Sequence, residues 1–327
     1  TESTEEAQEE KDPLIPEIDT SVEIQAGSRV AVVSKSTSGE FWGLVKKGME
    51  QAIADVNEAY GFKKEDQVTM TFEGASDEKD VESQVNTIDA VIAENPDVLC
   101  VSASDMDSLQ AQLEAAKENG IPVVAFDSGV TDSKMVRAFR GTDNTRVGEI
   151  AAYRLATAIG KMGKVAVFSA QEKTQSIQER VSGFTNYITN YPDIEVVEIV
   201  YQDQVDDMTA AMQEVLDKYP QLDGVFCDNA DIADLYLDMK KDETKDSIVM
   251  VGVDATAKQQ EAIRNGKEVG VVSQQPYAMG YQTIWTALLT TAPKKSVEIK
   301  RNVRIDPAWI DSSNIDDPTY SSYLYAN

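Results

Sequence analysis

Polar side chains directly follow several apolar runs of the sequence, where they could bind a small molecule. They are Asp127 and Ser128 after PVVAF, Asn229 after GVFCD, Asp254 after IVMVGV and Gln274 after VGVVS. Carboxylates, amides and hydroxyls form hydrogen bonds with ligand hydroxyls, and the ionised groups form the stronger ones. The set contains no nucleophile beside a base, so it indicates binding of a neutral polyhydroxylated ligand rather than catalysis.

Four more residues near such positions complete the candidate site. Phe41 and Trp42 lie in SKSTSGEFWG after the first apolar run, Arg180 lies in QERVSGF, and Gln204 lies shortly after EVVEIV. Aromatic faces can pack on the C–H face of a sugar ring, and a guanidinium can donate to hydroxyls. Each residue type also has an ordinary structural alternative: a helix cap for a polar residue after a strand, core packing for the aromatic pair, and a surface charge for the arginine.

Residue types and motifs that are missing exclude several classes of chemistry. The sequence has no histidine, which excludes Ser-His and Cys-His catalysis and every histidine-ligated metal site. Its glycines form neither GxGxxG nor GxxxxGK[ST], so dinucleotide-binding and P-loop sites are excluded. No EF-hand loop is present either. We therefore expect no metal and no cofactor.

Charge and length limit the function further. The 327 residues include 30 Lys and Arg against 57 Asp and Glu, for a net charge of −27. This acidity argues against a nucleic-acid partner, since phosphate binding needs clustered Lys and Arg. The chain is long enough for two domains, because a single core seldom grows beyond ~250–300 residues.

Periodic apolar runs predict the elements that would position the candidate residues. Runs such as VAVVS at 30–34 and VAVFS at 165–169 alternate with amphipathic stretches, a pattern typical of buried parallel strands separated by helices. The predicted class is α/β, doubly wound. Gly48 follows the first of these runs at the same interval as Gly183 follows the second. This repeat predicts two lobes of similar topology, whose ligand-binding groups meet where the carboxyl ends of their strands face each other.

The N-terminal residues and the two cysteines need separate interpretations. Residues 1–27 are rich in acids, contain two prolines and show no amphipathic period, so we predict a disordered acidic tether there. This stretch lacks the basic start and apolar centre of a signal peptide. Cys100 and Cys227 lie within apolar runs, which favours buried free thiols over a disulfide.

Several segments taken together resemble one known family. NPDVLCVSASD, IPVVAFDSG, QERVSGF, GVFCDNADIA, VMVGVDAT and GVVSQQPYAMG are similar to the ribose/galactose-type (type I) periplasmic sugar-binding proteins of ABC transporters, whose fold LacI-type repressor cores share. The similarity runs from about residue 29 to about residue 301. It implies two parallel-sheet lobes joined by three crossovers, a monosaccharide or related polyol in the cleft between them, and no enzymatic activity.

The resemblance also implies roles for individual residues. The family's ligand contacts correspond here to Phe41, Trp42, Asp127, Arg180, Asn229, Asp254 and Gln274. Three features depart from the pattern of ribose receptors. Ser128 stands where those receptors have an arginine, the loop before Phe41 reads STSGE without the usual Asn-Pro, and the aromatic residue expected near Gln204 is absent. These departures leave the identity of the sugar open.

A domain organisation, a location and a partner follow from the same resemblance. Crossovers near 142–143, near 274–275 and near Val303 would give a lobe of 28–142 with 275–303 and a lobe of 143–274 with 304–327. The protein would be an extracytoplasmic monomer that delivers its ligand to the membrane permease of an ABC importer. Its tether would connect it to a lipidated cysteine upstream of residue 1.

Three other functions compete with this interpretation. The first is a receptor for a signalling furanose or a sugar alcohol. The second is a LacI-like cytosolic regulator, which needs a basic helix-turn-helix before Arg29, where the sequence is acidic. The third is an enzyme on a doubly wound fold, against which the missing histidines and cofactor motifs argue.

Overall fold

Two six-stranded sheets organise the molecule. The computed structural model describes residues 12–243, 247–293 and 296–325, and within them the chain forms twelve strands and nine α-helices. The strands of the first sheet are β1 (Arg29–Ser34), β2 (Thr69–Gly74), β3 (Val98–Val101), β4 (Val123–Phe126), β5 (Ala138–Thr142) and β11 (Asn302–Ile305). They are all parallel and lie in the order β11-β5-β4-β3-β1-β2.

The second sheet repeats the first in topology. Its strands are β6 (Gly163–Ser169), β7 (Ile194–Tyr201), β8 (Gly224–Cys227), β9 (Val249–Val253), β10 (Gly270–Ser273) and β12 (Ala308–Asp311). Their order is β12-β10-β9-β8-β6-β7, which matches the first sheet strand for strand, although β12 runs antiparallel to β10. The predicted doubly wound α/β class and the predicted pair of similar lobes are confirmed.

Helices cover the sheets and connect their strands. They are α1 (Glu40–Tyr60), α2 (Val81–Ala93), α3 (Gln110–Glu118), α4 (Asn144–Ala158), α5 (Gln175–Ile188), α6 (Met208–Lys218), α7 (Ala230–Met239), α8 (Ala257–Arg264) and α9 (Pro276–Leu289). Within the described ranges, no helix is both long enough and apolar enough to span a membrane.

Burial on both faces explains why central strands such as β1, β3, β4, β8 and β9 are apolar over most of their length. In β1, Val30 and Val32 pack into the cluster that includes α1 and α9, while Ala31 and Val33 point to the opposite cluster, which includes α2 and α3. Successive side chains of a strand point to opposite faces, so a sheet covered on both faces needs apolar residues at every position. Cys100 and Cys227 are buried free thiols in β3 and β8, as predicted.

The chain crosses between the lobes at three places. The first crossing is between β5 and α4, and the second is between β10 and α9. The third is between β11 and β12, at 306–307, a little later than the predicted crossover near Val303. Residues 304 and 305 therefore pair with β5 in the first sheet, because the apolar side chain of Ile305 completes the core of that lobe.

Residues 12–27 are packed on the first lobe, which corrects the prediction of a disordered tether over 1–27. Val22 and Ile24 are buried, and the Tyr60 hydroxyl donates to the carbonyl oxygens of Asp19 and Val22 at 3.0 and 2.6 Å. The side-chain amide of Gln282 donates to the Leu14 carbonyl oxygen at 2.7 Å. The apolar residues of this acidic segment pack on the hydrophobic core of the first lobe. The rest of the predicted tether, 1–11, lies outside the described residues.

Glycines allow the closest helix contacts in both lobes. A Cβ on Gly48 in α1 would overlap the carbonyl oxygen of Tyr277 in α9, and a Cβ on Gly183 in α5 would overlap the carbonyl oxygen of Thr145 in α4. The interval that these two glycines share in the sequence therefore reflects equivalent helix crossings. The close contact between α4 and α5 at Gly183 also fixes the position of α5, which carries Arg180.

We predict that Gly48→Ala destabilises the protein, because the new methyl group must push α1 and α9 apart. Overpacking of this kind costs about 1–3 kcal/mol of unfolding free energy. Gly43→Ala is the matched control in the same helix, since a Cβ there meets nothing within 4 Å, and alanine is favoured over glycine in a helix by about 1 kcal/mol. Urea unfolding should therefore move the two midpoints in opposite directions. Equal shifts would contradict this account of the crossing.

Candidate functional site

A cavity of about 230 Å³ lies between the lobes, at the carboxyl ends of their strands. Its lining comes from both sheets and from the helices that follow their strands. The first lobe contributes Lys35, Ser38, Gly39, Glu40, Phe41, Trp42, Glu78 and Asp127, and the second contributes Ile177, Arg180, Asn229, Ala230, Asp231, Asp234, Asp254 and Thr256, with Gln274 at a crossover. The position agrees with the rule that open parallel sheets bind ligands at the carboxyl ends of their strands.

Seven of the nine candidate residues from the sequence line this cavity. They are Phe41, Trp42, Asp127, Arg180, Asn229, Asp254 and Gln274. Ser128 lies behind the wall, where its hydroxyl donates to Asp127 Oδ2 at 3.1 Å and contacts the Ser176 hydroxyl of the other lobe at 2.7 Å. The structure therefore gives Ser128 a supporting position rather than a place on the cavity surface.

Gln204 does not belong to the cavity, which corrects the prediction for this residue. It lies in an exposed turn after β7, and its side-chain amide donates to Glu172. The turn after β7 directs the Gln204 side chain to Glu172 and away from the cavity, which a place after a strand does not by itself reveal.

Asp127 holds its carboxylate in the cavity with a backbone that few residues adopt. It follows β4 with φ 59°, in the left-handed region that favours glycine. Its Oδ2 accepts hydrogen bonds from the Ser102 hydroxyl at 2.8 Å and from the Ser128 hydroxyl, and Lys35 Nζ lies 3.1 Å away. All three of these contacts use Oδ2.

Asp254 occupies the equivalent position in the second lobe. It follows β9, and its φ of 78° is again left-handed. Its Oδ1 accepts from the Gln274 side-chain amide at 2.7 Å and from the Tyr325 hydroxyl at 2.8 Å, while Oδ2 accepts from the Ala230 backbone N–H at 2.9 Å. Non-glycine residues with such backbones cost energy and concentrate at functional sites, and here two of them lie at matching positions of the two lobes.

Arg180 brings a positive charge to the second-lobe wall. Its side chain is buried in α5, where Nε donates to Asn144 Oδ1 at 2.9 Å and one terminal nitrogen donates to the Asp228 carbonyl oxygen at 2.8 Å. The carboxylate of the same Asp228 accepts a hydrogen bond from the Ser169 hydroxyl. Burial raises the pKa of Asp228 to about 6, although the Ser169 bond and the charge of Arg180 act in the opposite direction.

Phe41 and Trp42 form the aromatic wall of the first lobe. Their ring centroids lie 5.0 Å apart in an edge-to-face arrangement, and the Trp42 ring also contacts Phe126 at 6.3 Å. The Trp42 indole nitrogen donates to Glu78 Oε1 at 2.7 Å. This bond helps to orient the plane of the indole ring.

Lys35 is a site residue that the sequence argument missed. It directly follows β1, and its buried ammonium lies 3.1 Å from Asp127 Oδ2, 3.6 Å from Glu78 Oε2 and 5.7 Å from the centre of the Trp42 ring. Burial alone would lower the pKa of Lys35, but the charges of Asp127 and Glu78 outweigh it and raise the pKa above its usual value. Lys35 stands directly after the apolar run VAVVS, so the strand-end rule could have found it.

The cavity carries an excess of negative charge. Six carboxylates line it against two cations, Lys35 and Arg180. Asp231, in the first turn of α7, is the clearest sign of this excess. The Asp231 side chain keeps contact with solvent, but partial desolvation in the cleft, followed by the charges of Glu78, Asp254 and other nearby acids, raises its pKa to about 7. A ligand that donates hydrogen bonds suits this lining better than an anion does.

The two lobes are closed over the cavity. The Thr174 hydroxyl of the second lobe donates to the Ser104 carbonyl oxygen of the first at 2.5 Å, close to the Ser128–Ser176 contact. A separate contact joins α1 to α8, where the Ala257 backbone N–H donates to Glu40 Oε2 at 3.0 Å. These contacts join surfaces of different lobes, so an open form would have to break them.

A known protein family matches most of the chain. Residues 30–292 match the family described as periplasmic binding protein domain. The ribose import binding protein RbsB of Bacillus subtilis (strain 168) is 27% identical over 203 residues, which is 62% of this chain and 66% of that protein. The matched region thus spans slightly less than two thirds of this relative.

Solved structures of solute-binding proteins have the same fold. One from an ABC transporter of Agrobacterium vitis, with bound D-fucose, is 28% identical, with a TM-score of 0.82 over 91% of this chain and 100% of that chain. A second from the same organism, bound with α-D-tagatopyranose, is 27% identical, with a TM-score of 0.81 over 92% of this chain and 100% of that chain. Each covers both lobes described above.

We predict that Asp231→Asn makes the stability of the protein less dependent on pH. The native pKa of about 7 exceeds the ordinary 3.8, so between these values the native state binds a proton that the unfolded chain has released, and stability falls as the pH rises. The variant should be more stable than wild type at about pH 8, and the gain should vanish near pH 4.

Urea unfolding at both pH values measures the effect. Glu261→Gln is the control, because Glu261 is an exposed acid on α8, and its effect should be the same at both values. A gain for Asp231→Asn of equal size at both pH values would contradict the raised pKa.

Proposed function

The chain belongs to the periplasmic binding protein domain family, and we propose that it is a receptor that captures a monosaccharide or a related polyol between its lobes. The observation that carries the proposal is the pair of left-handed aspartates, Asp127 and Asp254, held at the ends of equivalent strands. Ligand hydroxyls would donate to these carboxylates from both sides. The protein would bind its ligand without changing it.

The shape and composition of the cavity support a ligand of this size and type. Its volume of about 230 Å³ is below the roughly 300–1,000 Å³ of pockets for drug-sized molecules. Phe41 and Trp42 would pack on the C–H face of the ring, while Arg180 and Asn229 would bind hydroxyl oxygens as hydrogen-bond donors. The side-chain amide of Gln274 donates a hydrogen bond to Asp254, so Gln274 would act by orienting that acid.

The relatives suggest where such a receptor works. We infer an extracytoplasmic protein that delivers its ligand to the permease of an ABC importer, since the relatives include a ribose import binding protein and solute-binding proteins of ABC transporters. Ligand would enter an open form, and the contacts between Glu40 and Ala257 and between Ser104 and Thr174 would form on closure. A lipid anchor upstream of the chain and a monomeric state complete the proposal.

We predict that a sugar or polyol raises the melting temperature of the protein. A screen should include D-ribose, D-fucose, D-tagatose, sugar alcohols, inositols and nucleosides, because a ligand at 100 times its Kd stabilises the native state by about 2.7 kcal/mol. Sugar alcohols and signalling furanoses in the same screen distinguish the alternative ligand classes. No shift with any of these compounds would contradict the proposed function.

Asp254→Asn should weaken binding of the ligand that such a screen identifies. Removing a buried charge that accepts ligand hydrogen bonds costs about 2–5 kcal/mol of binding free energy, which is at least a 30-fold increase in Kd. Asp217→Asn, a change at an exposed acid of α6, is the control and should leave the Kd unchanged. Equal affinities of the two variants in calorimetry would mean that Asp254 does not contact the ligand.

A further inference from the structure

We propose that Tyr325, close to the C-terminal end of the chain, is a positioning residue of the binding site. In this proposal Tyr325 sets the orientation of the Asp254 carboxylate and contacts the aromatic wall of the opposite lobe. Its effect on affinity rests on the proposed function, whereas its effect on Asp254 can be tested without any ligand.

Tyr325 is buried and held by hydrogen bonds at both ends. Its hydroxyl donates to Asp254 Oδ1 at 2.8 Å and accepts from the Gln274 backbone N–H at 3.2 Å. Its own backbone N–H donates to the Ala255 carbonyl oxygen at 3.1 Å. Because both the donor and the acceptor capacity of the phenol are used, the ring has a single well-defined place beside the end of β9.

The preceding residues fix this segment to the crossover between the lobes. The Ser273 hydroxyl donates to the Tyr323 carbonyl oxygen at 2.5 Å, and the Gln275 side-chain amide donates to the Ser322 hydroxyl at 3.0 Å. Ser273 ends β10, and Gln275 is the residue directly before α9. The C-terminal segment is thus bonded to both sides of the second crossover, and the Tyr325 hydroxyl reaches Asp254 from there.

Tyr325 supports Asp254 without cancelling its charge. The described contacts of that carboxylate are to neutral donors, which are the phenol, the Gln274 amide and the Ala230 N–H. Asp127, in contrast, has the Lys35 ammonium on one oxygen. Burial, together with the charge of Asp254, raises the pKa of Tyr325 well above its usual value, so the phenol stays protonated and remains a donor.

The ring of Tyr325 also contacts the first lobe. Its centroid lies 6.0 Å from that of Phe41, with the planes tilted by 52°. Phe41 in turn packs edge-to-face on Trp42. One side chain therefore contacts a carboxylate of the second lobe and the aromatic wall of the first, so Tyr325 holds Asp254 in place in the closed form.

Tyr325→Phe tests the proposal, because it keeps the ring and removes the hydroxyl. The affinity for the probe, which is whichever of D-ribose, D-fucose and D-tagatose stabilises wild type most, should fall about tenfold. Tyr320→Phe is the control, since Tyr320 lies in the same segment and contacts Tyr323 rather than Asp254. A residue that acts through Asp254 should have no further effect in an Asp254→Asn background.

Two results would overturn the positioning role, and a third measurement needs no ligand. The role is wrong if Tyr325→Phe binds the probe as wild type does, or if it weakens binding equally with and without Asp254→Asn. A crystal structure of ligand-free Tyr325→Phe should show the Asp254 carboxylate rotated. An unchanged carboxylate there would overturn the role, even if wild type bound no sugar and the proposed function itself had failed.

Discussion

The site depends on two carboxylates, Asp127 and Asp254, which lie at buried strand ends. Both residues have left-handed backbone conformations, which are energetically unfavourable. Such conformations cost ~1–3 kcal/mol each and persist where the surrounding structure stabilises them. Neighbouring strands supply part of that stabilisation, because the Asp127 N–H donates to the Arg140 carbonyl oxygen and the Asp254 N–H donates to the Val272 carbonyl oxygen. The repeated sheet topology therefore produces two acids at matching places, and both line one cavity between the lobes.

The two acids are stabilised differently, and the difference shapes the site. Lys35 neutralises Asp127 from the first lobe, whereas neutral donors support Asp254 in the second. Asp231 lies beside Asp254, and desolvation, followed by the charges of Glu78 and Asp254, raises the pKa of Asp231. Outside the region around Arg180, the carboxylates of the second-lobe wall are therefore less neutralised than those of the first and can accept more hydrogen bonds from a ligand. A ligand with several hydroxyl groups would satisfy that demand, and its binding would relieve the repulsion.

Sequence patterns predicted the parts of this arrangement that depend on local periodicity. The strands are apolar on both faces, so their ends could be located, and Asp127, Asn229, Asp254 and Gln274 followed from those ends. The prediction for Gln204 was wrong because tertiary packing, which strand periodicity does not show, decides where an exposed turn directs its side chains. Tyr325 was missed because no period marks the segment after β12, whose position is decided by packing alone. Residues 12–27 were predicted to be disordered because acids dominate their composition, although their few apolar residues pack on the first lobe.

A crystal structure of the complex with the most strongly stabilising sugar or polyol would test the central claim most directly. The account predicts one ligand in the cavity, with hydroxyl oxygens within ~3 Å of the Asp127 carboxylate and of the Asp254 carboxylate. A ligand that contacted the acid of one lobe alone, or that bound outside the cavity, would contradict it.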